Sequence, residues 1–525
     1  MHSLKIILLV TSFILTTPSY GVFVDGKGHY ALRGESRQKP GYTGNSAFQA
    51  IDQFFRLETE IRSGDKASFI TEFSLFSDKR SAYLGDSSAP ESCSPIISEG
   101  SNEGLPQNTD NSSECAGRQQ NILEPGYQAY IPMITKAYAR FATDVCLLTA
   151  GRRDRHWGIG ILHDNGKAPF TTSASIYDGI TCDVNVQRSQ SLGFSIGYDK
   201  ISETGSNTLG EEFTYGPTNQ SDDLDQLFFT INYSDGKNAS SNLSKEISIY
   251  FANIMGKDQL STDVKIADLY LSFYLPQFII KQEILFRLGK SADPNISRIG
   301  GVTGDAGSKV KNKLDSIAAA GSLEWILSRT GSTLGPANYN KGTLSSHSLF
   351  MEYAYAPGDS DGYLPQRDPT TQETGRDKQA TAIAFHSNYK PALIMFNERR
   401  NLDHKRVDGI YDPNRVMNTT MFGLGYRFSS LEDGEFEAKL ITASLNESIT
   451  SDGKAYYSTD KELPVGYNGK SLGFELDLSY RMNYDHGLEI GGAVAAAIPG
   501  DALDTNPNKK PDNQLLLQSF VSFTF

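Results

Sequence analysis

The C-terminal stretch Leu515-Leu516-Leu517-Gln518-Ser519-Phe520-Val521-Ser522-Phe523-Thr524-Phe525 alternates between two kinds of side chain. In an extended chain, one face would carry leucine, valine and phenylalanine with a single serine. The opposite face would carry the mixed set Leu516, Gln518, Phe520, Ser522 and Thr524. Because successive side chains of a β-strand point to opposite faces, this period of two predicts an amphipathic strand that ends at the chain terminus.

The same alternation recurs along the rest of the chain. In each segment one face is apolar or aromatic, and the other is mostly polar or charged; the clearest cases are at 55–62, 68–75, 192–198, 227–233, 283–288, 349–355 and 474–481. A soluble sandwich would turn its charged face to bulk water. A transmembrane barrel would turn it to a wet lumen and its apolar face to lipid.

The lengths of the joins between these segments favour the barrel. Short joins, such as 63–66 and 275–276, mostly alternate with long polar stretches at about 78–133, 159–181, 201–223, 290–315, 357–379, 449–469 and 498–512. The join at 329–345 breaks this alternation, because its position calls for a short turn and it is long. Periplasmic turns and extracellular loops alternate in this way in outer-membrane barrels, whereas such long loops are uncommon in compact soluble domains.

We therefore predict an all-β protein that forms one transmembrane antiparallel β-barrel of about 18 strands, within a range of 16 to 20. Residues 22–525 form the single domain, and 78–133 is the longest extracellular loop. The range reflects two segments, 26–36 and 380–400, whose pattern is ambiguous.

The first 21 residues have the pattern of a secretory signal peptide. Lys5 supplies the positive charge, Ile6 to Leu15 the apolar core, and Ser19-Tyr20-Gly21 a small-x-small cleavage site. The formal net charge of -13 argues against a nucleic-acid partner. Export combined with a barrel pattern predicts location in the outer membrane of a Gram-negative cell, with lipid and lipopolysaccharide around the wall.

The terminal strand resembles that of bacterial outer-membrane barrels, in which a final phenylalanine preceded by alternate apolar residues is recognised by the insertion machinery. This resemblance makes Phe523 and Phe525 the candidate assembly signal.

The four cysteines are expected to form disulfides, since an exported chain meets an oxidising compartment. Cys93 and Cys115 both fall inside the longest loop, and we expect a bridge between them. Cys146 and Cys182 are a weaker candidate pair. The predicted register places these two at opposite ends of the barrel, unless segment 159–181 folds inward. No CxxC spacing or histidine pair indicates a metal site, and no cofactor is expected.

The chain is not expected to be an enzyme. Gly193-Phe194-Ser195-Ile196-Gly197 matches the G-x-S-x-G pattern of esterases, but it lies inside an alternating strand instead of the strand-to-helix turn that this chemistry needs. The eight histidines suggest no convergent catalytic triad.

The most unusual segment is residues 151–166, which joins the end of a strand to a loop. Guanidinium groups bind carboxylate or phosphate, and tryptophan offers a flat face to a sugar or to the membrane interface. These residues could line a pore, or they could lie at headgroup level and pair with lipopolysaccharide phosphates: Arg152, Arg153, Arg155, His156 and Trp157.

This Gly-Arg-x-x-x-x-Trp-Gly-x-Gly stretch, together with 472–481 and 498–501, resembles the alginate-export porins and related large outer-membrane channels. The resemblance implies a monomeric barrel of roughly eighteen strands that passes an anionic polysaccharide or small solutes. Such exporters have an arginine-rich lumen. Here the inward positions mix five arginines, among them Arg56, Arg62 and Arg287, with five glutamates, which argues against alginate itself.

Two functions remain open at this point. The first is an outer-membrane channel for passive passage of small hydrophilic solutes, including anionic oligo- or polysaccharide, with the constriction formed by 152–157 and the disulfide-closed loop. The second is a plugged structural or adhesive barrel whose long loops bind a surface partner.

Overall fold

The computed structural model describes residues 22–38, 47–75, 133–168, 170–171, 174–186, 191–201, 224–235, 244–256, 262–291, 312–330, 345–358, 379–386, 388–397, 415–430, 434–447, 469–484, 487–503 and 512–525. The signal peptide, the Cys93–Cys115 bridge and nearly all of the loop 78–133 lie outside these residues and stay predictions. None of the helices in the described part of the chain is long and apolar enough to cross a membrane.

The described residues form nineteen strands. In chain order these are β1 (Val22–Gln38), β2 (Ala47–Ser63), β3 (Ala67–Leu75), β4 (Met133–Ala142), β5 (Leu147–Arg155), β6 (Ser175–Asn185), β7 (Ser191–Ile201), β8 (Leu224–Ser234), β9 (Ser244–Gly256), β10 (Asp263–Tyr274), β11 (Phe278–Ser291), β12 (Asn312–Thr330), β13 (Ser345–Ala356), β14 (Gln379–Ala380), β15 (Thr419–Ser430), β16 (Gly434–Leu445), β17 (Ser471–Asn483), β18 (Leu488–Pro499) and β19 (Gln514–Thr524).

Eighteen of these strands close into one antiparallel barrel. Each pairs with its neighbours in the chain, and β1 pairs with both β2 and β19, which closes the sheet. The two-residue β14 pairs in parallel with β12, while β13 pairs directly with β15, so β14 is not part of the wall. The predicted fold class and the count of about 18 strands are confirmed. The ambiguous segment 26–36 lies within β1 and helps to close the barrel.

The wall has an apolar outer face and a mostly polar inner face. On β19, Leu515 and Leu517 are exposed to the outside, whereas Leu516 and Gln518 point inward and are buried. Many outward residues elsewhere are also apolar and exposed, such as Leu424 (62%). A closed sheet leaves no strand edge unpaired, and an apolar outer surface suits contact with lipid.

The two ends of the barrel differ in the joins they carry. One end holds tight turns such as 64–66 and 275–277, and we call it the short-turn end. The other holds the joins 156–174 and 357–418, and we call it the long-loop end. The join 331–344 is the long exception at the short-turn end, as the sequence indicates.

Cys146 and Cys182 form a disulfide, with their Cα atoms 5.6 Å apart. The expectation that they lie at opposite ends of the barrel is therefore wrong. Cys182 does not begin a downward strand: it lies close to the lower end of β6, where it faces Leu148 of β5 across the sheet. Both cysteines are thus near the short-turn end. No inward folding of 159–181 is needed to join them.

Candidate functional site

Two segments between strands fold into the barrel. The first inner segment, residues 156–168, follows β5; the second inner segment, residues 381–397, lies between β14 and β15. Ile161 of the first and Phe385 and Phe396 of the second are almost fully buried, and they share one apolar cluster with wall residues such as Leu285. The ambiguous segment 380–400 is therefore an internal structure and not a wall strand.

The two inner segments contact each other inside the lumen. The backbone nitrogen of His386 donates a hydrogen bond of 2.8 Å to the carbonyl oxygen of Ile161. The side-chain nitrogen of Asn388 donates another, of 2.7 Å, to Oδ1 of Asp164. The lumen is thus narrowed by a pair of segments that hold each other in place.

Glutamate side chains of the wall bind the inner segments through their backbone amides. Oε2 of Glu283 on β11 accepts a hydrogen bond of 2.6 Å from the amide of Ile159. On β17, Glu475 accepts hydrogen bonds from two consecutive amides, those of Ile394 at 2.6 Å and Met395 at 2.7 Å. The acidic residues of this wall therefore fix the path of both segments.

Arginines of the wall bind carbonyl oxygens of the same two segments. Arg287 on β11 donates to the carbonyl of Ala382 at 2.6 Å. Arg37 on β1 donates to that of Asn397 at 3.3 Å, and Arg56 on β2 donates to that of Gly166 at 2.5 Å. Buried backbone carbonyls need hydrogen-bond donors, which a helix or sheet would normally supply. Here the arginines of the wall supply them.

The end of β5 carries a buried cationic cluster. Arg153 and Arg155 both bind Asp199 of β7, at 2.7 and 2.5 Å, and the carboxylate of Asp199 is completely buried. The guanidinium carbon of Arg155 lies 3.8 Å from the centre of the Phe228 ring, a cation–π contact. Arg155 also donates a hydrogen bond of 3.0 Å to the hydroxyl of Tyr250.

The first inner segment packs directly on this cluster. The indole ring of Trp157 lies 5.4 Å from the ring of Tyr250, and the two share a small apolar cluster with Phe228. Nδ1 of His163 lies 3.0 Å from the hydroxyl of Tyr177. Burial, reinforced by the positive charge of Arg155, lowers the pKa of His163 well below its usual value. This histidine is therefore neutral at physiological pH.

Asp164 is the charged group of the first inner segment. Burial alone would raise its pKa, but hydrogen bonds from His156, Asn388 and the amide of Gly166 outweigh that effect and lower the pKa to about 2. Asp164 therefore remains ionised and links the two segments across the physiological pH range.

The structure brings together only some of the residues that the sequence singles out. Arg153, Arg155 and Trp157 form one cluster, and Arg56 and Arg287 contact different inner segments. The side chain of His156 is half-exposed, and its Nδ1 lies 3.3 Å from Oδ2 of Asp164.

Two predicted pore-lining arginines lie elsewhere. Arg152 pairs with Asp178 at 2.8 Å, and its position next to Arg153 in the strand directs it to the outer face of the wall. Arg62 lies near the short-turn end, half-exposed, and binds Glu60 at 2.8 Å and Asp25 at 3.2 Å.

Three features of this site are not identified in the sequence analysis. Asp199 carries no signal beyond its inward position. Glu283 and Glu475 are recognisable as inward-facing, but nothing nearby in the sequence reveals their backbone partners. The second inner segment does leave a trace, because the apolar run 392–396 is unusual in a long polar join.

The described residues form neither an esterase-type serine site nor a metal site. The G-x-S-x-G pentapeptide, residues 193–197, lies within strand β7. Among the described residues, no group of three or more histidines, cysteines, aspartates or glutamates is placed to hold a metal ion.

Comparison with known proteins gives matches among solved structures only. No protein-family model matches the chain, and no curated protein matches it. The crystal structure of Pseudomonas aeruginosa OccK5 (OpdH) is 11% identical, with 95% of this chain and 98% of that chain covered and a TM-score of 0.44. The P. aeruginosa OccK2 (OpdF) complex with glucuronate has the same identity and coverage and a TM-score of 0.46. Acinetobacter baumannii OccAB4 is 11% identical, with 95% and 98% covered and a TM-score of 0.44.

Proposed function

We propose that the protein is an outer-membrane channel for the passive passage of small hydrophilic solutes. The observation that carries the proposal is a closed 18-strand wall, apolar outside and charged inside, whose lumen is narrowed by inner segments bound to that wall. An apolar outer face supports a membrane location, and the signal-like pattern of residues 1–21 favours the outer membrane. In this setting, the long-loop end faces the outside of the cell.

The geometry favours small solutes over a polymer. The contact between His386 and Ile161 crosses the lumen, so a solute must pass beside the joined segments. Inner arginines are also neutralised by neighbouring acids: Arg33 pairs with Asp52 at 2.6 Å and Arg56 with Glu72 at 3.4 Å. A lumen in which arginines are neutralised in this way suits neither alginate nor another long polyanion. An anionic oligosaccharide is thus a less favoured solute.

A plugged barrel is the alternative function, and one observation favours it. Ile161, Phe385 and Phe396 are packed against the wall in one apolar cluster, as the core of a soluble protein would be. In that case the inner segments would seal the lumen, and the long loops would bind a surface partner.

Reconstitution in planar bilayers separates the two functions. A channel should show single-channel current steps with the wild-type protein. Replacing residues 388–397 by a short Gly-Ser linker should increase the step size, because it removes the constriction. A plugged barrel should be silent as wild type and conduct only after this replacement. Swelling of proteoliposomes in sugars of increasing size would then give the size limit. Arg152→Gln, a change on the outer face, is the control and should behave as wild type.

A further inference from the structure

Strand β1 extends beyond the last strand with which it closes the barrel. It begins at Val22, but its pairing with β19 begins only at His29. One further pair of backbone hydrogen bonds joins Gly28 to Phe525, at 2.8 and 2.9 Å. Below that point no described strand pairs with β1 on this side. We call residues 22–27 the free edge.

The free edge is held in extended form from its other side. It pairs with residues 58–63 of β2 in unbroken antiparallel register. In an antiparallel ladder, successive residues direct their amide and carbonyl groups alternately to the two sides. Gly28 directs its groups to β19. The backbone groups of Gly26, Val24 and Val22 therefore point to the same side, where no described residue pairs with them.

The surface around the free edge is open. All six of its residues are exposed. The side chains of Phe23 and Val24 are each 66% exposed, and that of Val22 is 47% exposed. A Cβ atom placed on Gly26 would meet nothing within 4 Å. An additional strand could therefore lie along this edge without displacing any described part of the chain.

The free edge also lacks the features that usually protect a strand edge. Exposed edges commonly carry proline, several lysines or a bulge, because unpaired backbone groups otherwise recruit further strands. Here the register with β2 is regular and the segment has no proline. Its single lysine, Lys27, is at the end nearest the wall, and Asp25 is paired with Arg62 at 3.2 Å. The remaining Val-Phe-Val run consists of residues that favour strands.

The free edge lies beyond the apolar outer surface, on the water side of the short-turn end. The stacked rings of Phe523 and Phe525, 5.7 Å apart, mark the lower end of β19, as aromatic girdles mark the membrane interface. At about 3.3 Å per residue, the free edge continues for about 20 Å along the strand past this point. In the proposed orientation of the barrel, that side is the periplasm.

We propose that the free edge binds an extended segment of a periplasmic protein, which adds a strand to β1 through backbone hydrogen bonds. Cross-strand neighbours decide which side chains fit. β-Branched or aromatic residues suit the positions opposite Val22, Phe23 and Val24, and a basic residue suits the position opposite Asp25. The periplasmic location rests on the proposed orientation. The binding itself does not depend on whether the lumen conducts.

A second copy of the barrel in the same membrane does not fit the free edge. Barrel strands are tilted by about 40° from the membrane normal, so a two-fold axis along the normal would cross the two edges at about 80°. Neighbouring strands of a sheet deviate from alignment by only about 20–25°. The partner is therefore a separate chain that is free to align with β1.

The test measures binding of a fluorescent synthetic peptide, Glu-Val-Lys-Val-Tyr-Val, to the detergent-solubilised barrel by fluorescence anisotropy. In antiparallel orientation its three valines lie opposite Gly26, Val24 and Val22, and its lysine lies opposite Asp25. Methylation of the valine amides removes the donors that face β1 and should weaken binding at least about tenfold. Methylation of the lysine and tyrosine amides, which face away from β1, is the control and should leave binding unchanged.

A variant of the barrel tests the same contact from the other side. Val24→Pro removes an amide that faces the free side and none that bonds to β2, a position at which edge strands tolerate proline. It should bind the peptide at least about tenfold more weakly than wild type. Val24→Thr keeps the amide and should bind like wild type. Heat-modifiable mobility on gels confirms that both variants are folded.

Three results would overturn the proposal. Two are equal affinities of Val24→Pro and wild type, or of the valine-methylated and unmodified peptides. The third is slow hydrogen exchange of the Val22, Val24 and Gly26 amides in the barrel alone, which would show that the same chain already covers the edge. Single-channel current of Val24→Pro should equal that of wild type, so a failure here is distinct from a failure of the proposed function.

Discussion

The carboxylate of Glu283 accepts a hydrogen bond of 2.6 Å from the backbone amide of Ile159, although the two residues are 124 positions apart in the chain. Both lie inside the barrel, and Glu283 is completely buried. This contact helps to fix a segment that crosses the lumen, together with the hydrogen bond from Arg56 to Gly166.

Replacing Glu283 by leucine should loosen the first inner segment. The amide of Ile159 would lose its acceptor, and a buried donor without a partner costs about 1–3 kcal/mol. We expect single-channel recordings of Glu283→Leu to show larger mean current and more rapid fluctuations than wild type. Glu283→Gln keeps an oxygen acceptor in the same place and should resemble wild type. Identical traces for the leucine variant and wild type would show that this contact does not hold the segment.

Asp199 is expected to be essential for the stability of the barrel, because it neutralises both Arg153 and Arg155. In Asp199→Asn two buried guanidinium groups lose their counter-charge, and breaking a buried pair in this way costs about 3–5 kcal/mol. The free energy of unfolding in urea, measured in lipid vesicles, should fall accordingly.

Asp178→Asn is the matched control for this prediction. It removes the same kind of charge from the pair with Arg152, in which the side chains are 41% and 35% exposed. Pairs this exposed contribute less than about 1 kcal/mol. Equal losses of stability in the two variants would contradict the assignment of the buried cluster.

The wall of the barrel was predictable from sequence because its signal is local. The alternation of Leu515 and Leu516 between outward and inward positions follows from strand geometry alone, and the same period of two marks the other long strands. Neighbouring strands are also neighbours in the chain, so the order of pairing needs no further information.

The interior was much less predictable because its contacts are distant in sequence. Whether a long join folds inward depends on partners such as Glu475, which lies 81 residues from Ile394. The error over Cys146 and Cys182 has a similar origin. A misplaced boundary of β6 moved Cys182 to the wrong end of the wall, although the two cysteines are close across neighbouring strands.

Loss of the disulfide should lower stability without changing the passage. The bridge closes a loop with a sequence separation of 36 residues, and the chain-entropy model gives about 4 kcal/mol for a loop of that size. We expect Cys146→Ser, Cys182→Ser to unfold at a lower urea concentration than wild type. Its single-channel current should be unchanged, because the bridge is near the short-turn end and the first inner segment leaves the wall after Arg155. A changed current with unchanged stability would show that the disulfide shapes the lumen and does not stabilise the barrel.

Acidification should weaken the docking of the first inner segment through His163. Burial lowers the pKa of this histidine well below 6.5, the ordinary value that it regains on unfolding. Between the two pKa values the unfolded chain binds a proton that the folded chain does not, so stability is full above about pH 6.5 and falls as the pH drops below it, by at most about 1.4 kcal/mol per pH unit. Asp164, with a pKa of about 2, stays ionised over this range and does not contribute. Urea midpoints at pH 7.5 and pH 5.0 should therefore differ more for wild type than for His163→Gln. The same pH dependence in both proteins would show that the effect does not come from His163.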